Sequence, residues 1–178
     1  MNLALIGYRG SGKTTVARLL AERLTWNWID TDVEVERRSG KSIAALFAED
    51  GEPAFRDLET KVVAELVDSE RTILALGGGA VLREATRAVL ARTCKTAWLR
   101  ATPQTLHERC CQDAATGSRR PGLTALGGLA EIEQVLAERE PIYRACADAI
   151  IETDGLEAQK VAEQVQRAFA DLLAAEDA

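Results

Sequence analysis

One octapeptide near the start of the chain leaves few folds open. Gly7-Tyr8-Arg9-Gly10-Ser11-Gly12-Lys13-Thr14 fits G-x-x-x-x-G-K-[ST], the pattern of a loop that wraps the phosphates of a nucleotide. The flanks suit it. Residues 3–6 form a short apolar run of the kind found in a buried parallel strand, and Val16, Leu19, Leu20 and Leu24 recur at helical spacing after Lys13. In a strand, loop and helix arranged this way, the glycines let backbone N–H groups converge on phosphate oxygens. The positive end of the helix dipole favours the same charge. Lys13 can reach the outer phosphates, and the Thr14 hydroxyl can ligate Mg2+. A chance glycine turn would match the letters but would not require these neighbours.

The rest of the sequence alternates in the same manner. Strands are expected at 28–30, 72–76, 96–99 and 149–152, and the longest helices at 54–67, 129–137 and 156–173. Alternation of this kind predicts an α/β fold with a parallel sheet and helices on both sides, in a strand order the sequence does not fix. From 113 to 128 the apolar period fails, and the stretch is glycine-rich and basic: a mobile loop or a plain surface connection. No repeat or linker divides the 178 residues, so one domain over 1–178 is expected. With 22 basic and 28 acidic residues the net charge is −6, which disfavours nucleic acid and anionic lipid as partners. No apolar run approaches the ~20 residues of a membrane span, and the N-terminus lacks a basic leader. The four cysteines lack zinc-site spacing, and a reduced cytoplasmic setting is expected.

In an acidic chain, any anionic ligand must be held by arginines clustered locally. Arg56 shares a helical stripe with Glu59 and Val63, and Arg139 ends a stripe through Ile132 and Leu136. Two inward guanidinium groups suit a small carboxylate, although a surface ion pair at Arg56 and a buried structural one at Arg139 remain alternatives. Asp30-Thr31-Asp32 follows the second strand, and its two carboxylates face one side if the backbone stays extended there. One could serve Mg2+ and the other an acceptor hydroxyl, unless Asp32 simply caps a helix before Val33. Gly77-Gly78-Gly79 follows the third strand, either as a tight turn before a helix at Ala80 or as backbone that approaches a ligand closely. Arg119 and Arg120 lie in the irregular stretch, where they could close over phosphates or stay solvated. His107 has no partner in the sequence that suggests metal or catalysis, while Trp26, Trp28, Tyr143 and the cysteines read as packing residues.

Taken in order, the phosphate loop, Asp30-x-Asp32, Phe55-Arg56 with Glu59, Gly77-Gly78-Gly79, Arg120-Pro121 and Arg139-x-x-x-Tyr143 resemble the motif series of the shikimate kinase family, from residue 3 to about 151. The resemblance implies a P-loop NTPase of the nucleoside-monophosphate-kinase-like type. Its five-stranded parallel sheet is flanked by helices, with a lid over about 113–127 and a substrate-binding helical region over about 33–62. It implies transfer of the ATP γ-phosphate to the 3-hydroxyl of shikimate, in aromatic amino-acid biosynthesis. By the same likeness Gly10, Ser11, Gly12, Lys13, Thr14, Thr15 and Arg120 would hold ATP, and Thr14 and Asp30 would hold Mg2+. Asp32, Arg56, Gly78, Gly79 and Arg139 would hold shikimate, with Lys13, Asp32 and Arg120 as the catalytic groups. Arg109 is a candidate adenine contact, and a cytoplasmic monomer is expected. The lid departs from the family where Gly122-Leu123 replaces the usual two leucines. The rival readings are a kinase for another small hydroxy acid such as gluconate, and a nucleotide-gated module without turnover. The presence of Lys13, Asp30, Asp32 and Arg120 counts against the second.

Overall fold

The computed structural model describes residues 1–112 and 127–176, with side chains through 170. Strand β1 (Asn2–Ile6) is buried at every position because it runs up the middle of a five-stranded sheet. It pairs in parallel with β3 (Thr72–Ala75) on one side and β4 (Cys94–Arg100) on the other, Leu3 opposite Ile73 and Ile6 opposite Trp98. With a partner on both edges and helices on both faces, every side chain of β1 leaves water, hence the unbroken apolar run. Strands β2 (Asn27–Asp30) and β5 (Ala149–Glu152) close the sheet in the order β2-β3-β1-β4-β5, all parallel. As edge strands they keep some surface in solvent, Trp28 and Ile150 each being 38% exposed.

Strand side chains alternate between two cores. Leu3, Leu5, Ile73, Ala75 and Leu99 meet helices α1 (Lys13–Leu24) and α8 (Ala158–Glu176) through Val16, Leu20, Val161, Val165 and Phe169. Trp26 seals that side, its ring edge-on to Phe169 at 5.4 Å. Ala4, Ile6, Leu74, Leu76 and Trp98 point the other way. There they meet α2 (Thr31–Ser39), α3 (Ile43–Glu49), α4 (Gly51–Leu66), α5 (Glu84–Thr93), α6 (Pro103–Gln112) and α7 (Gly128–Cys146).

Three expectations shift. Helix α4 begins at Gly51 rather than 54, since Pro53 in a first turn forfeits an N–H that would have no partner there anyway. Helix α7 continues past 137 to Cys146 with Pro141 inside it. Burial of Ile132, Val135, Leu136 and Tyr143 along one side holds the helix together across the lost hydrogen bond. The glycine triplet leads into a short 3₁₀ turn (Ala80–Leu82) rather than directly into an α-helix.

The loops that leave the C-terminal ends of β1, β2 and β3 lie side by side because those strands are sheet neighbours. They carry the phosphate loop, Asp30 and the glycine triplet respectively. In an open parallel sheet this is the edge where ligands bind.

Candidate active site

The phosphate loop is already folded around its own lysine. Lys13 is buried, and its Nζ donates to the carbonyls of Gly7 at 2.9 Å and Tyr8 at 2.8 Å, with Ser11 Oγ at 3.4 Å. Helix α1 starts directly after Gly12, and no side chain caps its N-terminus. Its first amides therefore keep their capacity for an anion. Thr14 and Thr15 are exposed at the mouth, and the Thr14 hydroxyl donates to Asp30 Oδ2 at 2.7 Å. A hydroxyl and a carboxylate at one point form an oxygen donor set of the kind a hard divalent cation takes alongside phosphate oxygens and water.

Asp30 also settles how the Asp30-x-Asp32 pair is built. Its Oδ1 accepts from the amides of Asp32 at 3.0 Å and Val33 at 3.3 Å, so Asp30, not Asp32, is the N-cap of α2. The backbone turns helical at Thr31, which corrects the extended reading of this segment. The competing preference was legible in kind, since aspartate caps helices as readily as it ends strands. Asp32 falls in the first turn of α2, and its Oδ1 lies against Gly77: a Cβ built on that glycine would stand 2.6 Å from Asp32 Oδ1 and 2.6 Å from Glu59 Oε1. The missing side chain is what lets the two carboxylates approach. Thr31 anchors the same spot, its hydroxyl accepting from the Gly77 amide at 3.0 Å.

Arg56 is 7% exposed and Glu59 1%, so the pair stands inside the protein. Arg56 Nη1 donates to Glu59 Oε2 at 2.8 Å, and its Nε and Nη2 reach Glu52 Oε1 at 3.2 and 3.1 Å. The guanidinium lies over the rings of Phe55 and Phe47, at 5.0 and 6.0 Å from their centroids. It packs so closely on Gly79 that any Cβ there would run into it. Burial pushes the Glu59 carboxyl above its ordinary range, against the downward pull of Arg56. Across the cleft α7 offers Arg139, whose Nη1 donates to the Gly78 carbonyl at 3.3 Å. The Tyr143 hydroxyl donates to that same oxygen at 2.5 Å, so Tyr143 does more than pack against Trp98.

Arg56, Glu59, Gly78, Gly79 and Arg139 thus line one cleft, walled by Ile43, Phe47 and Phe55 and shared with Tyr8 and Arg9 of the phosphate loop. This is the mixture of a small-molecule site, apolar walls with a few convergent charges. Asp32 is not among the lining residues, but its Oδ1 lies at Gly77 beside Glu59, which is. Arg120 and the lid expected over about 113–127, Gly127 apart, lie outside the described residues. Arg109 is held at the sheet edge by Thr153, through the hydroxyl at 3.0 Å and the carbonyl at 2.7 Å. The cysteines are not uniformly buried: Cys94 is buried, Cys111 exposed, and none of the four forms a disulfide.

Sequence reading missed several members of the site. Glu52 stands at i−4 from Arg56, a spacing that announces an ion pair. Tyr8 and Arg9 occupy positions where the phosphate-loop pattern accepts any residue, and so carried no signal. Glu131, almost fully buried in the first turn of α7, pairs with Arg9 across 122 positions of sequence, a contact only the fold creates.

Known proteins resemble this chain over most of its length. The family model described as shikimate kinase matches residues 9–170. A shikimate kinase of Rhodopirellula baltica is 41% identical over 167 residues, spanning 94% of this chain and 89% of that protein. The solved shikimate kinase of Acinetobacter baumannii, in complex with shikimate, superposes with a TM-score of 0.89 at 32% identity, over 96% of this chain and 93% of that one. A gluconokinase from Sinorhizobium meliloti has a TM-score of 0.58 at 14% identity over 96% of this chain and 92% of its own, a likeness of fold alone.

Proposed function

The chain belongs to the shikimate kinase family, and on that premise we propose how its residues move the γ-phosphoryl group of ATP to the 3-hydroxyl of shikimate, giving ADP and shikimate 3-phosphate. The observation that carries the reading is the cleft itself. Two guanidinium groups, Arg56 and Arg139, face one space beside the phosphate loop in a protein of net charge −6. A carboxylate is the ligand that such a pair selects. Glu59 and Glu52 hold Arg56 from behind, and the Gly78 carbonyl holds Arg139. Little side-chain freedom is then left to lose on binding.

With its carboxylate in that grip, shikimate turns its hydroxyl face toward Asp32 at the Gly77 approach. Asp32 orients the attacking hydroxyl and accepts its proton, while Gly78 and Gly79 supply backbone rather than bulk. ATP lies along Gly10, Ser11, Gly12, Lys13, Thr14 and Thr15, and Lys13 exchanges its loop carbonyls for the outer phosphates. Thr14 and Asp30 would hold Mg2+, which neutralises charge on the phosphates. The protein's share in such a transfer is position and electrostatics more than covalent chemistry.

ADP release from Mg-ATP, measured with shikimate, gluconate, quinate or no acceptor, tests the reading. Release is expected with shikimate; release that ignores the acceptor, or that answers to gluconate instead, would overturn it. In the same assay Arg139→Ala should raise the shikimate KM by about tenfold or more, as expected for a lost charge-assisted hydrogen bond. The ATP KM should hardly move.

A further inference from the structure

The Arg9–Glu131 pair is not explained by nucleotide or acceptor binding alone. Arg9 is part of the phosphate loop, and Glu131 stands in the first turn of α7 with only 1% of its surface exposed. Burying an ion pair is seldom more stabilising than packing apolar groups in its place, but it can fix one arrangement of two elements. Here the two elements are those that must cooperate. One carries Lys13; the other presents Arg139 to Gly78 two turns beyond Glu131. The Arg9 guanidinium lies over the Tyr8 ring at 5.5 Å and lines the cleft with Arg56 and Arg139. The Arg9 carbonyl accepts from the Cys110 thiol at 3.7 Å, which secures the loop's other side on α6.

We propose that Arg9 is a positioning residue: through Glu131 it sets the spacing between the phosphate loop and α7, and so places Arg139 relative to the phosphates. The proposal rests on the shikimate kinase reading. A rigid cyclic acceptor joins its carboxylate to its reacting hydroxyl by a fixed length, so the clamp and the phosphate cradle must be spaced to match. An error of about 1 Å in such a spacing costs roughly a hundredfold in rate.

The test compares wild type with Glu131→Gln, Arg9→Met and the paired apolar replacement Arg9→Met with Glu131→Leu. Glu163→Gln, which alters an exposed pair with Arg23, is the control. Shikimate KM, kcat, ATP affinity without acceptor and melting temperature are read for each. Glu131→Gln and Arg9→Met should each raise the shikimate KM about tenfold, a coupling of ordinary size, and lower kcat as well, because the reacting hydroxyl is misplaced. ATP affinity should stay within about twofold. The double replacement keeps the melting temperature near wild type yet leaves the KM raised, which separates spacing from folding. Unchanged shikimate KM in Glu131→Gln overturns the proposal, and so does an effect confined to Arg9→Met, which would mean that Arg9 touches the acceptor directly. Losses of ATP affinity and shikimate KM that simply track melting temperature also overturn it, in favour of a structural role. Wild-type protein without shikimate-dependent turnover would defeat the functional reading itself, before any variant is compared.

Discussion

Gly77 has no functional group, yet the site depends on what it lacks. Asp32 Oδ1 and Glu59 Oε1 both lie 2.6 Å from where its Cβ would be, so Gly77→Ala must drive at least one carboxylate away. Displacing Asp32, the group proposed to orient the acceptor, should lower kcat/KM by about two orders of magnitude. Circular dichroism should show an unchanged fold, and a variant with wild-type turnover would show that the approach of the two acids is immaterial. Legibility in the sequence varies residue by residue. Glu59 could be read as the partner of Arg56 because three residues along a helix make a contact, and Glu52 could have been read by the same rule. Arg9 and Glu131 could not, since nothing local links residues so far apart in the chain.

Among the elements, α2 shows how a surface network fixes a helix beneath the site. Glu34 accepts from Arg37 at 2.7 Å and from Arg38 at 2.6 Å, and Arg38 extends to Glu65 on α4. Those hydrogen bonds hold the Glu34 carboxyl down at about 2, from an ordinary 4.5. Because the folded value is the lower one, the contribution to stability is complete above about pH 4.5 and disappears as pH falls toward 2. Glu34→Gln should therefore be less stable than wild type at pH 7, with the gap closing across that window. Chemical denaturation as a function of pH checks it, and a gap that stays constant with pH would exclude charge as the cause. Helix boundaries were less legible than strands. Asp-Thr-Asp suits a strand end and a helix cap equally, and the helix expected over 129–137 runs on to Cys146 because the buried face of α7 carries it past Pro141.

Across the whole molecule, the sheet divides two cores. One face packs on α8 and on α1, which meets the site only through its first turn, while the other face carries the residues around the cleft. Phe169 is 5% exposed and meets Trp26 on the first face, so Phe169→Ala should cost roughly 3–5 kcal/mol of folding free energy. The shikimate KM of the protein that remains folded should be unaltered, and a KM that rises along with the loss of stability would show the two faces to be coupled. Apolar runs and helical periods made the α/β class legible, because each is a local pattern. The order β2-β3-β1-β4-β5 was not, because pairing between strands distant in sequence leaves no mark within either one. The self-held lysine of the phosphate loop has a consequence for the company this protein keeps. A solitary small anion would have to draw that ammonium off its internal carbonyl acceptors while offering few oxygens in exchange, and it would do so against an overall negative field. A polyphosphate chain arriving with its counter-cation replaces all the acceptors at once, so the cradle ranks its ligands by how many oxygens each brings to that ammonium.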